Sequence, residues 1–412
     1  MVYMGGDNGS TLSSLEGAGE ADLAEMKQIG STDHLNVVVQ YDRMSDHRTR
    51  RYRITRGGAL VRDQVADLGE TNTGDPQVLR NFISWAVTTY PADHYALVLW
   101  NHGSGWKEDN IYALGKSLKL GQEALTSRQA RRFAQRRASR AFFNTTMARL
   151  LEQLSPTRAV LFDDSSRDFL DNAELTNVLA FAAGVIGAKL DLLGMDACLM
   201  SMLEVAYQCR RSVNVFVGSE ETEPAAGWPY QRVLGLLSKN AEQEASALGT
   251  AVVSEYVASY ETAPVTEVVT QAALDLRRAD AAATALDGLA VALMAGLADP
   301  NIYAAIRRAR RDAQSFYDRD YLDLLSLATL FQKYCQSQPI YDAAQQLIDV
   351  ITPGAPGSLV LSARSLGREM AEAHGVSIYF PPEGRVSPFY EALEISKTTR
   401  WNDFLEAFRT KA

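Results

Sequence analysis

Apolar positions change period repeatedly along this chain, and each change predicts an element. Val2 to Met4 is a short strand-like run, and Leu35 to Tyr41 (LNVVVQY) is a longer β-branched one. Between them Leu15, Ala18, Leu23, Met26 and Ile29 mark a helix over Leu15 to Ile29. Arg51 to Thr55 and Ala59 to Arg62 flank Gly57-Gly58 and read as a hairpin. Pro76 to Tyr90 reads as a helix entered from Gly74-Asp75, and Tyr95 to Trp100 (YALVLW) as an apolar strand. Strand, helix, strand order predicts an α/β fold, a mainly parallel sheet sandwiched by helices.

The alternation resumes at a strand over Ala159 to Asp163 and a helix over Asn172 to Ala182. Leu190 to Met195 is a buried strand, and it turns through Asp196-Ala197-Cys198. Leu199, Met202, Leu203, Ala206 and Tyr207 then recur at helical spacing, which predicts a helix beginning at or just after the cysteine. Val213 to Gly218 is the next strand and runs into Ser219-Glu220-Glu221. Residues 240 to 350 read as mostly helical and Ala-rich, with a β-branched run at Val265 to Thr270. Leu359 to Ser362 and Val376 to Phe380 are two further strands before an aromatic tail over Tyr390 to Phe408. These patterns divide the chain into a core over 1–235, a mainly helical subdomain over 236–357, and C-terminal strands with a tail over 358–412 that packs on the core.

Residues 107–157 interrupt the core. Within them Arg128, Arg131, Arg132, Arg136, Arg137 and Arg140 fall in a stretch with no acid. A solvated helix face, a processing loop and a docking helix for an acidic partner or membrane surface all fit this composition.

Two strand ends carry candidate chemistry. Cys198 stands between a strand and the helix predicted to follow it, where a helix dipole would favour the nucleophilic thiolate. A buried structural cysteine is the other reading of that position. His102, in Asn101-His102-Gly103-Ser104-Gly105-Trp106, also follows an apolar strand. Sites in open α/β sheets form at the carboxyl ends of strands. If the two strands are parallel neighbours, thiol and imidazole meet at one edge, the minimal kit for covalent acyl transfer.

These residues carry a resemblance. His-Gly after one strand and Asp-Ala-Cys after a later one, with VYMGGDN, NVVVQYDR, NHGSGW, DDSS, LDNAEL, GMDACLM, GSEETEP, GWPY and GVSIYFPP in that order, resemble the clostripain family of cysteine peptidases. That family is related to caspases, legumains and gingipains. The resemblance implies a caspase-like fold and an endopeptidase acting on a peptide or protein substrate. It implies Cys198 as nucleophile, His102 as general acid and then base, and the backbone N–H groups of Gly103 and Cys198 as oxyanion donors. Members that cut after Arg or Lys resemble this chain at Asp196, and typically hold a second acid where this chain has Ala226. Ser219, Glu220 and Glu221 join Asp196 as substrate-binding candidates, and Glu220, Glu221 or Glu223 could replace the missing acid. The resemblance also implies maturation by cleavage between the histidine and cysteine segments, which makes the six arginines candidate processing sites.

Composition narrows the remaining classes. The chain has 412 residues, is 46% hydrophobic and carries a net charge of −9, so it offers nucleic acid no general surface. No apolar run looks long enough to span a bilayer. Without a signal peptide ahead of Gly5-Gly6-Asp7, the expectation is a cytoplasmic protein, or a secreted one whose leader has been removed. Three cysteines, Cys198, Cys209 and Cys335, make no disulfide framework. No zinc spacing occurs and no cofactor is required. Calcium, known in the family, could take oxygens from Asp163, Asp164, Asp168 and Asp171, though without EF-hand spacing. A regulated effector protease with a specific protein partner and non-basic P1, and a non-cleaving caspase-like scaffold, are the competing readings.

Overall fold

The apolar runs become a parallel sheet core in the computed structural model, which describes residues 1–7, 15–103, 105, 160–163, 168–263, 267–382, 386–387 and 390–411. These form two compact units, Met1–Cys198 with Glu223–Gln243, and Leu199–Thr222 with Glu244–Ala412.

The first unit holds strands β1 (Val2–Gly5), β2 (Val38–Arg43), β3 (Arg48–Arg53), β4 (Gln64–Asp67), β5 (Ala96–Trp100), β6 (Val160–Asp163), β7 (Asp168–Leu170) and β8 (Leu190–Asp196). Its sheet runs β8-β5-β1-β2-β3-β4. From β8 to β2 all neighbours are parallel, while β3 and β4 pair antiparallel at the far edge. β6 and β7 make a separate two-stranded ribbon. Strands buried on both faces explain the continuous apolar runs at β5 and β8. The flanking helices Glu16–Ile29 and Tyr230–Lys239 pack on each other, as do Pro76–Thr89 and Asn172–Ile186.

Local chemistry fixes the helix ends. Asp75 accepts the Gln77 N–H ahead of Pro76, the position where proline's missing N–H costs nothing. Asp171 and Glu174 form a reciprocal capping box, and Gly187 closes the same helix at φ 79°. The hairpin expected around Gly57-Gly58 is displaced. Leu60–Asp63 is a 3₁₀ turn, and the strand pairing with β3 is β4.

In the second unit β9 (Val213–Gly218), β10 (Val269–Asp275) and β12 (Val360–Leu366) lie in the order β12-β10-β9, both pairs antiparallel. β11 (Tyr321–Asp323) pairs antiparallel with β13 (Ser377–Tyr379). The run expected at Val265 to Thr270 begins at Val269 and extends to Asp275, buried throughout. Helix Ala245–Glu261 packs on β9, β10 and β12. Within this unit the tail rings gather on one strand-end residue: Phe380 meets the rings of Trp401, Phe404 and Phe408 at 5.8, 5.5 and 5.2 Å. Contrary to the expectation that no run is long enough, Leu276–Gly296 is apolar and long enough to cross a membrane. Its Ala282, Ala283, Leu286, Leu289, Ala290 and Leu293 are buried, as in a core helix of a globular unit.

Candidate active site

The register between β5 and β8 places both candidate catalytic residues. Trp100 pairs with Asp196, and the pairing reaches one step further, the Asn101 N–H donating to the Asp196 carbonyl at 3.3 Å. His102 and Cys198 each stand two residues past that Trp100–Asp196 pair. Parallel neighbours in this register deliver both side chains to the same carboxyl edge. Asn101 ties the edge to β1, its Nδ2 donating to the Gly5 carbonyl at 3.0 Å. Both candidates are buried, and burial pushes the His102 imidazole down to about 4. At neutral pH the histidine is therefore uncharged, a resting state with no imidazolium–thiolate ion pair.

The surroundings of Cys198 differ from the expectation. The helix does not begin at the cysteine; it spans Leu203–Cys209. Leu199 takes φ 62°, and Met202 is extended and bridges Ser377. Backbone pairing of this buried segment overrides the helical spacing of its side chains. The helix-dipole argument for a lowered thiol pKa accordingly fails. The sulfur instead receives a backbone N–H, from Glu223 at 3.3 Å, and lies 3.9 Å from the Glu223 carbonyl.

Asp196 lies at the centre of an acidic nest within the same unit. Its Oδ2 accepts the Tyr230 hydroxyl at 2.8 Å and the Trp228 N–H at 3.3 Å, and the Glu223 side chain acts on its carboxyl. Burial pushes Asp196 up to about 6, with those hydrogen bonds acting the other way. Two glycines make room. At Gly227, φ is 54° and a Cβ would stand 2.9 Å from an Asp196 oxygen. At Gly194 a Cβ would stand 2.6 Å from the Trp228 ring. Asp22, from helix Glu16–Ile29, accepts the Trp100 indole N–H at 2.7 Å. Burial first, and Asp196 second, push its carboxyl up to about 9.

The other substrate-binding candidates belong to the second unit. Ser219 shares a 2.8 Å hydrogen bond with Thr270 in the second unit. There Glu220 accepts the Gly375 N–H, and Glu221 accepts the N–H and hydroxyl of Thr222. Of the glutamates weighed as replacements for an acid at 226, Glu223 is the one that acts on the Asp196 carboxyl. Asp22 went unread because its helix shows the ordinary amphipathic pattern; no local signal marks it. The six insert arginines and Asp164 lie outside the described residues, as do the side chains of Asp163 and Asp168. Asp171 caps a helix. Among the described residues, Asp7, His47 and Glu70 bring potential metal-ligating atoms within 4.8 Å of one another.

A family profile described as the clostripain family matches residues 2–120 and 147–408. The chain belongs to the clostripain family. Clostripain of Hathewaya histolytica is 26% identical over 260 residues, 57% of this chain and 40% of that protein. The chain thus matches well under half the length of that family member. Two solved structures share the fold. A secreted C11 cysteine protease of Bacteroides thetaiotaomicron, in complex with an irreversible peptide inhibitor, gives a TM-score of 0.63 at 18% identity, covering 98% of this chain and 99% of its own. An inactive zymogen C11 protease of Parabacteroides distasonis gives 0.61 at 17%, covering 97% of each.

Proposed function

We propose that this clostripain-family chain is a cysteine endopeptidase using a Cys198–His102 dyad. The observation that carries this is the shared offset of the two residues from the paired Trp100 and Asp196. In the reaction, the Cys198 sulfur attacks the scissile carbonyl, and the N–H groups of Gly103 and Cys198 receive the developing oxyanion. His102, uncharged at rest, takes the thiol proton as the sulfur attacks and passes it to the leaving amine. It then takes a proton from the water that hydrolyses the thioester, releasing the acid product and restoring the thiol.

The Asp196–Glu223 pair supports Arg or Lys at P1. An entering guanidinium or ammonium meets both carboxyls beside the nucleophile, and its charge offsets the burial that pushes Asp196 up. Initial rates on matched Arg, Lys, Gln and Leu P1 peptides test this. Asp196→Asn should cost the basic substrates roughly a hundredfold in kcat/KM and the others far less. Equal loss on all four would assign Asp196 a structural role. A wild-type preference for Leu or Gln would instead favour the effector-protease reading, and no turnover at all the scaffold.

The same preference makes residues 107–157 a self-processing segment, cut after one of Arg128, Arg131, Arg132, Arg136, Arg137 or Arg140. Intact masses of wild type and Cys198→Ala, incubated side by side, should show two fragments in the wild type alone. A fully active wild type that stays uncut would return the segment to a docking role.

A further inference from the structure

Glu220, Asp323 and His374 form a chain of titratable groups in the second unit that the proposed chemistry does not use. Glu220 and Asp323 are buried, and His374 is partly exposed. The Asp323 carboxyl acts directly on that of Glu220, whose Oε2 accepts the Gly375 N–H at 2.7 Å. Asp323 accepts the His374 N–H at 2.6 Å, the Ser326 N–H at 2.6 Å and the His374 ring Nδ1–H at 3.1 Å. Two carboxyls in contact away from water must hold a proton between them. Glu220 holds it: burial first, then Asp323, push its carboxyl well above the usual range. The hydrogen bond to Asp323, opposed by burial, pushes the His374 imidazole up. The other charged groups acting on the chain are Glu221 on Glu220 and Glu372 on His374, with Arg319 acting on Glu221.

This chain of groups braces the backbone that follows Cys198. Residues 219–221 are fixed by Thr270, whose hydroxyl oxygen accepts the Glu220 and Glu221 N–H groups, each at 3.0 Å. The same segment holds the residues that follow Cys198. The Leu199 N–H donates to the Glu221 carbonyl at 3.1 Å and the Ser201 N–H to the Ser219 carbonyl at 2.8 Å. Ser201 is held again by the Gly375 carbonyl, which accepts its hydroxyl at 2.7 Å. Leu199 occupies the left-handed region, which a leucine keeps only where its surroundings over-determine it. In the other direction, Glu221 leads through Thr222 to Glu223, the residue whose N–H meets the Cys198 sulfur.

We propose that Glu220, Asp323 and His374 act together as a proton-holding brace that positions Cys198 through the strained Leu199 turn, Glu220 and His374 being positioning residues for the nucleophile. The brace is intact while Glu220 keeps its proton and His374 its charge. A histidine with a raised folded pKa stabilises the fold fully below its unfolded value, and that stabilisation is lost as pH rises through the folded value. The brace therefore loosens on the alkaline side, where the Leu199 turn relaxes and turnover falls.

The proposal rests on the cysteine-peptidase reading, so two readouts are needed: kcat and KM against pH on a peptide, and the rate of Cys198 alkylation by iodoacetamide against pH in a Cys209→Ser/Cys335→Ser background. Glu220→Gln keeps a neutral donor that needs no shared proton. It should flatten the alkaline fall in both readouts. His374→Ala, at a partly exposed position that spares the buried carboxyls, should lower kcat about tenfold with KM within about twofold, and should move the alkaline fall to lower pH. Profiles for Glu220→Gln and His374→Ala that superimpose on the wild type in both readouts would overturn the brace. A wild type without peptide turnover would sink the peptidase reading, while alkylation would still decide the brace.

Discussion

At the residue scale, the environment separates one sulfur from the other two. Cys198 takes a backbone N–H at 3.3 Å, whereas burial pushes Cys209 up to about 12 and Cys335 up to about 11. Cys198→Ala and His102→Ala should each lower kcat/KM by at least about a thousandfold with the far-UV spectrum unchanged. Cys209→Ser and Cys335→Ser should keep turnover and lose about 1–3 kcal/mol of stability, read by urea titration, because each places a hydroxyl in an apolar site. His102 adds a pH signature. Its imidazole is lowered from 6.5 to about 4, so stability is complete above pH 6.5 and falls as the pH drops towards 4. The loss should reach roughly 3 kcal/mol below pH 4 and should shrink by that amount in His102→Ala, compared by denaturation at pH 7 and pH 4. Both residues were legible in the sequence because each follows an apolar strand run. Glu223 was only one of three glutamates that could answer Asp196, since spacing alone does not say which side chain turns towards it.

At the scale of elements, strands were easier to read than the turns that leave them. YALVLW and LDLLGM yielded β5 and β8 because a strand buried on both faces needs an unbroken apolar run. The turn after Cys198 was misread, because Leu199 and Met202 keep helical spacing with Leu203 while the backbone of Leu199, Ser201 and Met202 pairs with residues 219–221 and 377. Such pairing is between residues far apart in sequence and leaves no local period. The turn at Gly227 has the opposite character: one residue decides it. Gly227→Ala would strain a φ of 54° and press a methyl group against the Asp196 oxygens. It should lower kcat/KM on basic P1 substrates at least about tenfold and cost about 1–2 kcal/mol of stability, measured by peptide hydrolysis and urea unfolding.

At the scale of the whole molecule, sequence and structure agree on the α/β class and a mainly parallel core. The two units also show what a linear reading misses. The chain passes from the first unit to the second after Cys198, returns at Glu223 and leaves again after Gln243. Such interleaving has no compositional mark, because no linker of distinct composition lies at any crossing. It puts Asp196 and Glu223 in one unit although 26 residues of chain between them belong largely to the other.

The matched offset of His102 and Cys198 along β5 and β8 means that the length of chain joining the two strands is not part of the geometry proposed for catalysis. The distance between imidazole and thiol is set laterally, by the ladder that pairs Ala96 with Leu192 and Trp100 with Asp196. The protein should therefore tolerate being supplied in halves. Residues 1–105 and 160–412, coexpressed as separate polypeptides, should copurify and hydrolyse peptide, while either piece alone should be inert. Sliding the ladder is a different matter: one residue inserted between Trp100 and His102 would turn the imidazole to the opposite face of the sheet and abolish turnover in both the joined and the bisected enzyme.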